Sequence, residues 1–228
     1  MSFYEQLIAA TEKSRAELLA APIIADCLQD RVTRDSYLAF LGQAYHHVRH
    51  TTPLLMSLGG RLPERLAWLR RPVADYIDEE IGHEEWILND IAAAGGDADA
   101  VRGSQPDLPA EVMVAYAYDL INRRNPAGFF GMVFVLEGTS VALALSAADR
   151  IQQALGIPDR AFTYLRSHGT LDQEHTQHLA RLLEKMTPAD QAEVIHCARV
   201  FFKLYGDVFR ALPTGMPAGT PTGATPCN

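Results

Sequence analysis

Cysteine is scarce in this chain. Cys27, Cys197 and Cys227 are scattered over 228 residues, too few and too far apart for a disulfide framework or a zinc ribbon. A reducing cytoplasm is therefore the expected location, and the N-terminal segment from Met1 to Arg15 is amphipathic and charged rather than a secretory leader. Basic runs are missing too. The net charge is −8, which speaks against nucleic acid as a partner, because such binding needs a clustered cationic footprint. No apolar stretch runs uninterrupted for the roughly 18 residues that argue a membrane span. The longest, Phe129 to Ala148, is broken by Glu137 and by Gly, Thr and Ser. There is no Gly-rich phosphate loop or Rossmann fingerprint, and no Gly-x-Ser-x-Gly elbow. No segment alternates apolar and polar residues between turn signals, so strands are not expected.

What is present is helical periodicity over a chain that is 48% hydrophobic, enough for one domain with a substantial core. A first helix is predicted from about Phe3 to Ala20. Asp35 is a predicted N-cap for a helix reaching Leu58, with Gly59-Gly60 as its stop. Pro63 opens a short helix to Arg70, and Pro72 suits the first turn of a helix ending at Ala94 before Gly95-Gly96. After a loop over residues 103–109, helix resumes to Arg124. Asn125-Pro126 is a break, and further helices cover Ala127–Leu155, Arg160–Lys185 and Pro188–Leu212. The fold class is all-α, a single-domain bundle of about seven helices over residues 1–212. Residues 213–228, rich in Pro, Gly, Thr and Ala, form an expected disordered tail.

The chemistry-bearing residues cluster. His168, Asp172 and His175 are spaced by four and seven from the first, which at about 100° per residue leaves them on one arc of a helix. Two imidazoles and a carboxylate are suitable ligands for iron or another first-row metal; the plainer interpretation is a solvated polar face. Glu137 stands alone in Phe129–Leu145, a helix apolar nearly all round. An unpaired buried carboxylate there would cost several kcal/mol, a penalty that a metal ion removes; a pairing with Arg is the alternative. In Asp78–Trp86, either Glu79 or Glu80 can share a face with His83, while most of the five acids there must meet solvent. His46, His47 and His50 offer a further ligand, a proton relay, or simply packed imidazoles. A second Glu-x-x-His at Glu193–His196 pairs with Glu80–His83 as in ferritin-type carboxylate bundles, a competing site geometry that leaves Asp172 without a role.

A Glu-x-x-His helix, a lone Glu some way on, then His-x-x-x-Asp-x-x-His resembles the haem-oxygenase-like diiron oxidases, over roughly residues 3–212. Their wider superfamily includes thiaminase II (TenA) and pyrroloquinoline-quinone synthase C. The resemblance implies a haem-oxygenase-like fold of about seven helices. It implies Fe(II), one or two ions, with O2 as co-substrate, and a small-molecule substrate held in an apolar pocket. It assigns His83, Glu137 and His168 to one iron and Asp172, His175 and Glu80 to the other. Many relatives carry a Glu on the second helix, where this chain has His46, His47 and His50. Phe129, Phe130, Phe134, Tyr45 and Tyr164 are the expected pocket walls. The rival functions are a metal-free TenA- or quinone-synthase-like enzyme using acid–base residues, and a non-enzymatic metal- or ligand-binding protein. A homodimer is compatible with this pattern; nucleic acid and membrane are not expected partners.

Overall fold

The computed structural model describes residues 1–214, apart from the side chains of residues 170–174. Within these residues the chain is all-α: α1 (Phe3–Leu19), α2 (Pro22–Leu28), α3 (Arg34–Val48), α4 (Thr51–Arg61), α5 (Arg70–Glu80), α6 (His83–Ala93), α7 (Ala98–Gly103), α8 (Leu108–Arg123), α9 (Phe129–Leu155), α10 (Thr163–Leu183) and α11 (Pro188–Ala211). The long apolar α9 lies at the centre, packed against α10 and α11, while α1 runs along α11. By length and composition α9 could cross a membrane, but here it is a bundle helix with over half of its most apolar stretch buried.

The helices exceed the expected seven for local reasons. The predicted 35–58 helix is two helices, because Pro53 lacks an N–H and its ring crowds the carbonyl four residues back, at Arg49, where α3 ends. Asp35 is not the cap of α3. Thr33 is, in a reciprocal box with Ser36, leaving Asp35 in the first turn where its charge suits the helix dipole. Gly59-Gly60 do not stop α4, which continues to Arg61. The helix predicted after Pro63 is a 3₁₀ helix over Glu64–Leu69. The predicted 72–94 helix is broken at Ile81-Gly82, with Gly82 at φ +91°. The short α2 and α7 carry too few residues to show a period. Thr187 does cap α11, as its sequence context suggests. Gly131 lets α9 and α11 touch: a Cβ there would stand 2.6 Å from the Ala198 nitrogen and 2.7 Å from the Val194 oxygen.

The buried apolar residues form two clusters rather than one. The larger joins α1, α4, α8 and α11 to the first part of α9, up to Val135, and to Leu179, Leu182 and Leu183 of α10. The smaller joins α3 and α6 to Ala144, Ala148 and Ile151 of α9 and to Phe162, Tyr164 and Leu165 at the start of α10. Between them runs a seam. Glu137 falls in the gap along α9, His168 and His175 in the gap along α10, and Glu80 and His83 at the break between α5 and α6. The polar residues singled out by composition thus converge because each sits where its element passes from one core to the other.

Candidate metal centre

Three of these side chains form the tightest group. Glu80, His83 and His168 each place one potential ligand atom within 4.8 Å of the others. Donors around a first-row ion at about 2.1 Å lie at most about 4.2 Å apart, so small side-chain adjustments suffice to share one ion. Glu80 and His83 are almost fully buried, at 6% and 3% exposure. Glu80 is the last residue of α5 and His83 the first of α6; they face each other across the Gly82 break, not along one helix face as the periodicity implies. The His83 Nδ1–H donates to Glu80 Oε2 at 3.1 Å, leaving Nε2 as the other donor atom of His83. Trp86 stacks on the His83 ring at 3.8 Å between centroids and Tyr164 packs on His168. Burial pushes the Glu80 carboxyl up, but the His83 hydrogen bond and the nearby His168 and His175 more than offset it, and the net shift is downward.

The second group centres on His175. Its Nδ1 lies 3.5 Å from Glu137 Oε1 and its Nε2 lies 2.9 Å from Glu79 Oε2. Glu137 is buried, whereas Glu79 is half exposed at the rim. The grouping differs from the one the resemblance implies. Glu80 goes with His83 and His168, and Glu137 goes with His175. Seven residues of helix separate the bases of His168 and His175 by about 10 Å along α10, which favours two adjacent groups over one. Glu80, Glu137 and His168 nevertheless line one cavity of about 70 Å³, and His175 acts electrostatically on Glu80. The Asp172 side chain lies outside the described residues.

The histidines of the second predicted helix divide. His46 Nε2 lies 2.9 Å from Ser104 Oγ, whose own hydroxyl donates to the Val101 carbonyl, so His46 is the donor of that bond. His50 Nδ1 pairs with the Tyr118 hydroxyl at 3.1 Å. Neither joins the seam. His47 is buried, donates Nδ1–H to the Gln43 carbonyl, packs on Tyr205, and keeps a buried Nε2 with no hydrogen-bond partner. Burial, and then the neighbouring histidines, hold its pKa at about 4 despite the Gln43 bond. The ferritin-type alternative does not assemble. His196 is exposed and Glu193 pairs with Arg124, away from the seam. His178 is also exposed.

The donor chemistry fits iron. Imidazole and carboxylate are the ligands expected of a non-haem iron site, and the buried Nε2 of His47, without a hydrogen-bond partner and within electrostatic reach of His168, is an orphaned donor of the same kind. Sequence reasoning missed the Gly82 break and a second, apolar cavity of about 160 Å³ that meets the first at Ser140, Tyr164, His168 and Tyr205. Of the expected walls, Tyr164 lines both cavities and Phe129 the acidic one. Phe130 lines a third, smaller cavity beside Glu137 and His175. Phe134 packs edge-on against Tyr4 and Phe202 in the core, and Tyr45 lies against His46.

The described residues form an all-α bundle crossed by a buried histidine–carboxylate seam. The sequence profile of the iron-containing redox enzyme family matches residues 38–206, and the chain belongs to that family. No curated protein matches it. Among solved structures, a domain of unknown function with a haem-oxygenase-like fold from Shewanella denitrificans superposes with a TM-score of 0.81 at 21% identity, over 92% of this chain and 90% of that one. A TenA homologue from Pseudomonas syringae pv. tomato gives 0.74 at 11% identity, over 90% of each chain. Haem oxygenase from Leptospira interrogans gives 0.73 at 13% identity, over 93% of this chain and 100% of the other. At these identities the likeness is one of fold.

Proposed function

We propose that this protein is a non-haem, diiron, O2-dependent oxidase or oxygenase acting on a small organic substrate. The observation that carries the proposal is the buried convergence of Glu80, His83 and His168 next to the Glu137–His175–Glu79 chain. Glu80, His83 and His168 would hold one ion, and Glu137 and His175, with Asp172, the other. Bound iron supplies one-electron chemistry toward O2.

The protein's own groups prepare that site in three ways. Trp86 holds the His83 ring by stacking, and Glu80 holds it by a hydrogen bond at Nδ1 that would give way when the Glu80 carboxylate takes up an ion. The carboxylates of Glu80 and Glu137 supply the negative charge that a buried cation needs. The two hydrophobic clusters on either side exclude water from the seam.

The metal-free, TenA-like reading needs a reactive group of its own. If that group were a thiol, Cys197 is poorly suited: it is buried, and burial pushes its thiol up to about 12, leaving almost no thiolate near neutral pH.

Anaerobic loading with Fe(II), followed by metal analysis and anomalous diffraction at the iron edge, tests the proposal. Two iron peaks in the seam, with iron-dependent O2 consumption, are expected. A seam that takes up no iron under saturating conditions refutes it.

A further inference from the structure

The apolar cavity beside the seam limits what can be oxidised there. It is bounded by α2, α3, α9, α10 and α11, with Ile24, Phe40, Leu143, Ala147 and Leu165 among its walls, and none of the described residues lining it is Asp, Glu, Lys or Arg. Three of its hydroxyls are committed to the backbone: Tyr37 donates to the Ala161 carbonyl, Ser36 to that of Thr33, and Thr139 to that of Val135. The arginines at this end of the bundle are engaged as well, Arg31 with Asp26, Arg150 with Asp30, and Arg166 with Asp149 and Asp159. Apart from the His168 imidazole at its inner end, a charged group inside would have no counter-ion among these residues. At the inner end, where the cavity meets Ser140 and His168, an anion would, in the metal-free protein, also face the carboxylates of Glu80 and Glu137.

Resting on the oxidase reading above, we propose that this cavity is the substrate site and that the substrate is an uncharged, chiefly hydrocarbon molecule with one polar group. The hydrocarbon body fills the space between α2, α3 and α9. The polar group points to Ser140 and His168, which brings the adjoining carbons to the edge of the acid–histidine seam. Ala147 sets the room available, since it is a small residue in the wall of the cavity.

The test is displacement of the fluorophore Nile red from the full chain, apo and Fe(II)-loaded under anaerobic conditions, by decan-1-ol, decanoate and decylamine. Decan-1-ol is expected to bind both forms with the lowest Kd, by about tenfold or more over either charged analogue. Ala147→Phe is expected to weaken decan-1-ol by about tenfold while leaving iron stoichiometry unchanged; Ala147→Leu, a smaller change, should weaken it less. Tighter binding of decanoate or decylamine in either form overturns the proposal. So does no binding of decan-1-ol, or an unchanged Kd in both variants once circular dichroism shows them folded. Because decan-1-ol binding is read in the apo protein, failure of iron uptake would sink the oxidase reading separately from this one.

Discussion

Gly82→Ala tests how the seam is built. Gly82 joins α5 to α6 at φ +91° and ψ 0°, a conformation that costs a residue with a Cβ about 1–2 kcal/mol. Space is not the obstacle, because an added Cβ would meet nothing within 4 Å; the cost is conformational alone. The chain has two responses. If the left-handed geometry is kept, global stability falls by about 1–2 kcal/mol and Fe(II) affinity is unchanged, since apo and loaded forms carry the same strain. If the chain relaxes toward continuous helix, the strain is relieved but Glu80 and His83 no longer face each other, and Fe(II) affinity falls instead. The strain energy sets the ceiling on that fall at about fivefold to thirtyfold. Urea denaturation of the apo protein and anaerobic Fe(II) titration of the same preparation read both quantities, and together they should account for at least about 1 kcal/mol. A variant with wild-type stability and wild-type iron affinity would show that the α5–α6 break has no energetic hold on the pair.

Glu80→Gln should abolish most Fe(II) binding, whereas Glu79→Gln should lower it by no more than about threefold, because an exposed carboxylate is replaceable by water; equal losses on titration would reverse the assignment. Glu137→Ala should eliminate one iron per chain while apo stability, measured at pH 8, stays within about 1 kcal/mol, since His175 keeps its contact with Glu79; unfolding of the variant would instead make Glu137 a structural residue. The buried His47 has a folded pKa near 4 against an ordinary 6.5. The unfolded chain therefore binds the extra proton between these values, so stability rises with pH from 4 to 6.5, by about 3 kcal/mol for this group. In urea melts of the apo protein across that range, His47→Phe should flatten the slope by that amount, and an unaltered slope would place His47 in water. Glu80 acts on the more acidic side. Its carboxyl is held below the ordinary value, so its contribution is present above that value and is lost as pH falls through the depressed one.

Much of the seam was legible because it offends against local pattern. Glu137 stands out as an acid in an apolar helix, and His168 and His175 as imidazoles at core-facing intervals of α10. The pairing of these residues was not legible. It depends on which turn of α9 lies beside which turn of α10, and on a backbone break at Gly82 that periodicity reads straight through, since the apolar spacing resumes in phase at Trp86 and Ile87. Pro53 was the stronger signal for a break and accounts for the division between α3 and α4. The substrate-sized cavity left no mark in the sequence. Its walls are ordinary apolar residues at ordinary helical spacing, drawn from five helices, and only their assembly leaves space between them.

The two-cluster core explains how the bundle tolerates such a seam. A carboxylate or imidazole at the heart of one continuous core would break the packing it depends on and carry the cost of desolvation besides. Here the apolar contacts close on either side of the polar residues. Leu7, Leu54, Leu58 and Phe201 anchor one cluster, and Tyr37, Leu41, Ile87 and Phe162 the other, all at 1% exposure or less. The two long helices that contribute polar residues from their middles are held by apolar residues toward their ends: α9 by Phe129–Val135 and Ala144–Ile151, α10 by Leu165 and by Leu179–Leu183. The middle of each helix is therefore fixed in position without having to be apolar itself. That arrangement lets the seam be acidic, basic and preorganised while the fold's stability is supplied on both sides of it.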